Sequence, residues 1–370
     1  MSVYEEEHEI FRNSFRTFVE KEVSPHIEEW EEKRELPRSL WKKFGEQGYL
    51  CTWVDEQYGG SGVGFEYSVI MAKELGKVGA GMGIVTHSDI LAPYIANYGT
   101  EDQKERWLPG CTSGDIILAI AMTEPNAGSD LQGIRTSAVK DGDDYVVNGQ
   151  KTFITNGICA DLVILASRTE AGISLMGVED GTPGFVKGRK LEKMGLRHQD
   201  TAELFFDNCR VPKANIIGEE GKGFKILMGE LQRERIMTTI MTQSMSERML
   251  GDTMEYAKTR EAFGRPIGNF QHNAFKIAEM ATEVELGRTF LDRLIEEYME
   301  GKDIITRVSM AKWWIAEMTN RIAYNCLQLH GGYGYMEEYP IARFFRDARS
   351  QTIPAGTTEI MKLIISRNMG

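Results

Sequence analysis

Residues 116–130 read Ile-Ile-Leu-Ala-Ile-Ala-Met-Thr-Glu-Pro-Asn-Ala-Gly-Ser-Asp, and the chain changes character across them. Ile116 to Met122 is the most apolar short stretch of the sequence. It falls well below the ~20 residues needed to cross a bilayer and reads as a core strand. The chain then bends at Pro125 and Gly128, where small residues let the backbone approach a ligand. Thr123 and Ser129 offer hydroxyls there, and successive exposed N–H groups form a concavity suited to an anion. A capped turn explains the same residues about equally well.

Upstream, residues 1–119 carry helical spacing. Ile10, Phe11, Phe15 and Phe18 recur on one helix face, and Leu40, Trp41, Phe44 and Leu50 form a second unit. Helical spacing resumes from Tyr67 to Leu75 and from Ile90 to Tyr98. The glycines at 59, 60, 62 and 64 lack both a G-K-[ST] sequence and a preceding strand, so they read as a plain loop. Downstream, residues 120–219 hold short β-type stretches at Tyr145–Val147, Leu162–Ala166, Ile173–Val178 and Ala202–Phe206. Asp141-Gly142, Asn148-Gly149, Asn156-Gly157 and Asp180-Gly181 read as the turns between them, which gives a small antiparallel domain. Residues 220–370 return to helix. Met228, Leu231, Ile236 and Ile240 mark one long helix; Ile277, Met280, Val284, Leu291, Leu294 and Tyr298 mark a second; Val308, Ala311, Ile315, Met318 and Ile322 mark a third. Helix, sheet, helix implies an α+β protein with bundles flanking a β unit.

The bulk composition narrows the function. The 370 residues are 42% hydrophobic and 26% charged, which fits a well-packed globular protein. The net charge of -12 disfavours nonspecific binding to nucleic acid or anionic lipid. The five cysteines are scattered, odd in number and form no C-x-x-C pair, so neither disulfides nor a metal site is expected. The start, MSVYEEEHEIF, is acidic and unlike a signal or transit peptide. These points fit a reducing, cytoplasmic setting.

Four further segments are candidates for chemistry. Lys151-Thr152-Phe153-Ile154-Thr155-Asn156-Gly157 sets an aromatic and a hydroxyl two residues apart, on one side of a strand. That arrangement suits stacking a ring and bonding its edge, although Phe153 as plain core is the commoner outcome. Thr259 to Pro266, followed by Phe270-Gln271, places Arg260 before a loop. Gln328-Leu329-His330-Gly331-Gly332-Tyr333-Gly334 ends a helix on paired glycines. Ile353 to Ile360 opens the last helix, whose first N–H groups are suited to an anion.

Together and in this order, these segments resemble the acyl-CoA dehydrogenase family over essentially the whole chain. Met122-Thr-Glu-Pro-x-Ala-Gly-Ser-Asp130 and the Gln328-Leu-His-Gly-Gly-Tyr-Gly-Tyr335 sequence are highly specific when found together. Residues 184–195, 200–212 and 218–235 look most like the long-chain branch. The resemblance implies an N-terminal α-helical domain (1–119), a middle β domain (120–219) and a C-terminal four-helix bundle (220–370). It also implies FAD, usually in a homotetramer, with electron-transferring flavoprotein as electron acceptor. By motif matching, Ile120, Ala121, Met122, Thr123, Gly128, Ser129, Phe153, Ile154 and Thr155 hold the flavin of their own subunit. Arg260, Phe270, Gln271, Gln328, Leu329, His330, Gly331 and Gly332 contact the FAD of a neighbour, and Thr357, Thr358 and Glu359 complete the flavin site. Phe153 stands where the family often has Trp, so it covers a ring face without an indole N–H.

The implied reaction removes an α-proton and a β-hydride from an acyl-CoA thioester. In many members the base is a Glu directly before the Gly of the G-T-x-x-I loop. Here that position is Ala355, which cannot accept a proton. The long-chain and isovaleryl branch places its Glu on a C-terminal-domain helix in an L-x-x-E-R context, matched here by Leu231-Gln232-Arg233-Glu234-Arg235. Glu234 is therefore the expected base, with a surface Glu–Arg pair as the bland alternative. The Ala355 N–H is expected to serve the thioester oxygen. Ser129, Lys225, Gln232, Arg233, Arg235, Ala355 and Gly356 are the expected substrate contacts. The expected substrate is a medium-to-long straight chain. Branched or terpenoid acyl-CoAs, a flavin monooxygenase and a non-catalytic acyl-CoA binder are the alternatives.

Overall fold

In a computed structural model of the protein, residues 5–369 are described; the first four residues of the acidic start lie outside them. The N-terminal part is helical: α1 (Glu6–Glu22), α2 (Ile27–Lys33), α3 (Arg38–Glu46), α4 (Phe65–Val78), α5 (Met82–Val85), α6 (Ala92–Tyr98) and α7 (Glu101–Ser113). Helix α1 buries Phe15 and Val19, and Phe11 and Phe18 pack alongside. Ile10, counted on that face by spacing, is 65% exposed and falls off the stripe. The ring of Phe15 meets Tyr49 edge-on at 4.9 Å, tying α1 to the chain beyond α3. Residues 59–64 form a loop ending at Gly64, the N-cap of α4. Between α5 and α6 the chain widens into a π-helical turn over Thr86–Leu91 that buries His87, Ser88 and Asp89. Such turns occur frequently at functional sites.

The middle part holds β1 (Leu118–Ala121), β2 (Ser137–Asp141), β3 (Asp144–Thr155), β4 (Leu162–Thr169), β5 (Gly172–Glu179), β6 (Phe185–Lys190), β7 (Thr201–Pro212) and β8 (Ile216–Ile217). They make one eight-stranded sheet, ordered β6-β7-β3-β2-β4-β5-β8, with β1 on β4. Two expectations need correction. The sheet is not wholly antiparallel, because β1 pairs β4 in parallel register, Leu118 opposite Leu162. The intervening β2–β3 hairpin returns the chain to β4 in the original direction. Asn148-Gly149 is not a turn between strands but a bulge inside β3, opposite β7. A Cβ on Gly149 would lie 2.5 Å from Thr136 Oγ1, so close backbone packing explains this glycine. The other three dipeptides do sit at strand ends, with Asn156, Gly142 and Gly181 at positive φ.

The C-terminal part begins with α8 (Gly223–Thr259), a 37-residue helix buried along much of its length. A small hairpin, β9 (Glu261–Ala262) and β10 (Arg265–Pro266), leads to α9 (Gln271–Met299) and α10 (Ile305–His330). Helices α11 (Pro340–Ser350) and α12 (Thr358–Asn368) close the chain. Helix α8 joins the two helical parts. Gly76 of α4 lies so close to it that a Cβ would meet the Met241 carbonyl at 2.6 Å. One core cluster runs through both helical parts and one face of the sheet, and a second, smaller one lies inside the β unit.

Candidate active site

The turn after β1 is held from beneath by an ion pair. Lys151 of β3 is 1% exposed, and its Nζ donates to Glu124 Oε1 at 2.8 Å and to the Met122 carbonyl at 3.0 Å. Glu124 also accepts the N–H groups of Arg135 at 2.7 Å and Thr136 at 2.9 Å. Burial pushes this carboxyl upward, but the donors of Lys151, Thr136 and Arg135 outweigh it and hold it at about 2. Burial lowers Lys151 to about 8 against the pull of Glu124. The pair fixes the turn's shape. The N–H groups of Thr123, Gly128 and Ser129 meet no acceptor among the described residues, and Gly128 and Ser129 are exposed.

Phe153 departs from simple strand alternation. The β3–β7 register shifts between Lys151 and Ile154, and Phe153 adopts φ 60. A left-handed aromatic residue is strained, and such strain clusters at ligand sites. Its ring is 68% exposed rather than in the core, and Thr155, two residues on, is half-buried. Ile154 is buried, and Ile120 and Met122 are partly covered.

A second group gathers on α8. Glu234 is half-buried. Burial raises its carboxyl above the ordinary range, opposed by the charges of Arg235 and Lys312. Arg235 is buried, and its Nε donates to the Ala355 carbonyl at 3.1 Å. Arg233 points the other way, into the N-terminal helices. Its Nε donates to the Asp89 carbonyl at 2.7 Å, and its guanidinium lies over the rings of Trp53 at 4.7 Å and Phe65 at 5.2 Å. Arg233 is thus committed to an internal contact, and Lys225 is exposed on the first turns of α8. Gln232 is partly buried. In the loop before α12, Ala355 and Gly356 both take positive φ, 57 and 98. Thr357 caps α12 by accepting the Ile360 N–H. The hydroxyl of buried Thr358 is used in the core, donating to Glu317 at 2.8 Å, while Glu359 is exposed.

A third group lies at the far end of α8. Arg260 caps that helix, and its guanidinium sits 5.4 Å from the ring of Tyr333. Gly331, at φ 59, ends α10 beside it. Arg260, Leu329, His330, Gly331 and Gly332 line one groove of ≈ 590 Å³ with Tyr256 and Tyr333. Phe270 caps α9 and Gln271 begins it, exposed, as is Gln328. From Glu234 to Arg260 the helix rises roughly 39 Å, at 1.5 Å per residue.

The structure therefore brings Glu234, Arg235, Ala355 and Gly356 together, and separately Met122–Ser129 with Phe153. Arg260 and residues 328–332 meet at the opposite end of α8. Three contributors escaped attention in the sequence. Lys312 donates to the Gly356 carbonyl at 2.6 Å. Tyr94 is fully buried, its hydroxyl has no partner among the described residues, and burial with the charges of Glu234 and Glu230 pushes its phenol well upward. Asp89 anchors Arg233. Of these, only Lys312 carried a signal, a lysine at i+4 from Val308 on an otherwise apolar helix face.

Comparison with known proteins identifies the family to which the chain is similar. The sequence models of the acyl-CoA dehydrogenase N-terminal, middle and C-terminal domains match residues 5–115, 119–209 and 221–370. A long-chain specific acyl-CoA dehydrogenase of Sus scrofa mitochondria is 48% identical, over 99% of this chain and 87% of its own length. The crystal structure of an acyl-CoA dehydrogenase from Geobacillus kaustophilus superposes with a TM-score of 0.98 at 57% identity, covering 100% of this chain and 99% of that one. A Mycobacterium smegmatis glutaryl-CoA dehydrogenase solved in complex with FADH2 gives 0.94 at 29% identity, covering 99% of this chain and 95% of that one.

Proposed function

The chain belongs to the acyl-CoA dehydrogenase family, and from that premise we propose that it converts medium-to-long straight-chain acyl-CoA thioesters to trans-2-enoyl-CoA, with Glu234 as the base. One observation carries the assignment. The loop position that often supplies the base is Ala355, while Glu234 is the half-buried carboxylate of α8 beside the Arg235 that holds this loop. Its raised pKa makes it a stronger base once ionised. The long-chain preference is supported by similarity to the long-chain specific relative.

The residues fit FAD on two counts. Phe153 is a strained, outward-facing ring suited to cover a flavin face, and the N–H groups of Thr123, Gly128 and Ser129 are available to a polar edge. FAD held there would supply the acceptor for the β-hydride. Glu234 takes the α-proton. The Ala355 N–H, without an acceptor among the described residues, meets the negative charge that grows on the thioester oxygen. Thr357 and Glu359 remain at the mouth of α12, where they border the flavin in this reading. Thr358 contributes through the core instead.

Arg260, Phe270, Gln271 and residues 328–332 are assigned to the FAD of a neighbouring subunit. Their distance from Glu234 along α8 supports this, because one dinucleotide does not bridge it. The assembly would then be a homotetramer whose active sites need two chains. Electron-transferring flavoprotein is the proposed acceptor. No helix among the described residues is long and apolar enough to cross a membrane. We propose a cytoplasmic location, in line with the scattered, unpaired cysteines.

The decisive experiment is an anaerobic titration of the FAD-loaded protein with acyl-CoAs of graded length. Bleaching of the oxidised flavin band should be fastest for medium-to-long straight chains. Bleaching confined to branched chains would overturn the substrate assignment, and no bleaching at all would overturn the activity. A pH dependence accompanies it. Glu234 works only when ionised, so kcat/KM should fall as pH drops through a value above the ordinary 4.5 of Glu. An acid limb at or below that value would contradict the burial of the base.

A further inference from the structure

Two buried cations converge on the loop that opens α12. Arg235, from α8, donates to the carbonyl of Ala355 at 3.1 Å. Lys312, from α10, donates to the carbonyl of Gly356 at 2.6 Å. Both are more than nine-tenths buried, at 6% and 4% exposure. Ala355 sits at φ 57, a left-handed conformation that is unfavourable for an L-residue. Successive carbonyls are thus drawn toward two different helices, while the Ala355 N–H is left without an acceptor among the described residues.

We propose that Lys312 and Arg235 form a two-point clamp on the Ala355–Gly356 backbone, positioning the Ala355 N–H for the thioester oxygen and holding the loop in register with Glu234. The proposal rests on the dehydrogenase reading above. Both are positioning residues, because they act through the loop and the base.

A charged donor needs a reason, since burying an ammonium group is costly and a neutral amide makes the same hydrogen bond. Its surroundings supply one. Facing Lys312 are Arg235 and Glu234 on α8, Glu317 on its own helix and Glu359 on α12. Facing Glu234 are Arg235 and Lys312, and Tyr94 of α6 also lies within its field. Burial lowers Lys312 to about 8, with Arg235 adding to that shift, so Lys312 keeps its charge at neutral pH and favours the ionised form of Glu234. The same ammonium group therefore holds the loop and keeps the base ready.

The test uses the full-length, FAD-loaded protein with dodecanoyl-CoA. Lys312→Met should retain FAD and assembly. Its kcat should fall roughly 10- to 100-fold, the scale of a small misplacement, with KM changed less than about threefold. Lys312→Arg should recover most of that loss. Lys312→Gln keeps a donor without the charge, so it should keep the loop in place yet move the acid limb of kcat to higher pH. Backbone hydrogen exchange over residues 353–358 should quicken in the Met variant and stay near wild type in the Gln variant. Wild-type kcat in Lys312→Met overturns the clamp, whether or not exchange quickens. If the Met variant does not fold, an unmoved acid limb in Lys312→Gln does so instead. An active Glu234→Gln enzyme would refute the base assignment, while the exchange result would still judge the loop contact by itself.

Discussion

Replacing Glu234 with Gln is expected to leave a folded, flavin-retaining protein whose turnover falls roughly 10²- to 10⁴-fold, the usual contribution of a positioned general base. In the proposed mechanism Glu234 takes the place of the carboxylate missing at Ala355. The substitution is nearly isosteric, so packing around α8 should persist. Stability gives an independent sign. A carboxyl raised by burial binds its proton more tightly in the folded state than in the unfolded chain. Above the folded pKa the native protein must therefore carry a buried charge at a cost, and below the unfolded value that cost vanishes. Glu234→Gln removes the cost, so the variant should melt slightly higher than wild type at pH 7 and no higher near pH 4. Lost activity with unchanged or raised Tm marks a functional carboxylate. Lost activity with a large fall in Tm would mark a structural one, and normal turnover would remove Glu234 from the mechanism.

The second large effect is expected beneath the turn that follows β1. Lys151→Met should cost about 3–5 kcal/mol, because it strands the Glu124 carboxylate in a buried site. Glu124 is 7% exposed and would keep only the backbone donors of Arg135 and Thr136. FAD retention should fall with stability, since Lys151 also holds the Met122 carbonyl. The double variant Lys151→Met, Glu124→Gln removes both charges and should recover most of the stability. Thermal melts of the single and double variants, each with and without added FAD, measure this directly. A single variant as stable as wild type would show that the pair is dispensable. The pair also sets an acid limit. Glu124 at about 2 contributes fully above the ordinary 4.5, and its contribution disappears as pH falls from there through the folded value.

Much of this protein was legible from residue order alone. The long helices α8, α9 and α10 followed from apolar spacing, because one buried face repeats every three to four residues whatever the partner. Turns at Asp141-Gly142, Asn156-Gly157 and Asp180-Gly181 followed from residues that tolerate positive φ. The same rule misplaced Asn148-Gly149, whose glycine answers to close contact with Thr136 rather than to a turn. Phe153 shows the limit of alternation. A bulge of one residue is invisible in a strand pattern, yet it turned the ring from the core to the surface.

The candidate site divides along the same line. The family resemblance nominated Glu234, Ala355 and the Met122–Ser129 turn, because the motifs that carry it lie within a few consecutive residues. It also offered Arg233 as a substrate contact, whereas packing sends it to Asp89, Trp53 and Phe65. It passed over Lys312 and Tyr94, whose significance depends on segments tens to hundreds of residues away. The sequence by itself determined which segments are helix or strand, and which backbone positions are chemically suited to a ligand, since these are properties of short stretches of chain. Only the tertiary structure decided which buried charge meets which carbonyl, which strand runs parallel to its neighbour and which face of β3 looks outward. Those outcomes depend on how distant segments pack and lose water together, and no local pattern encodes that.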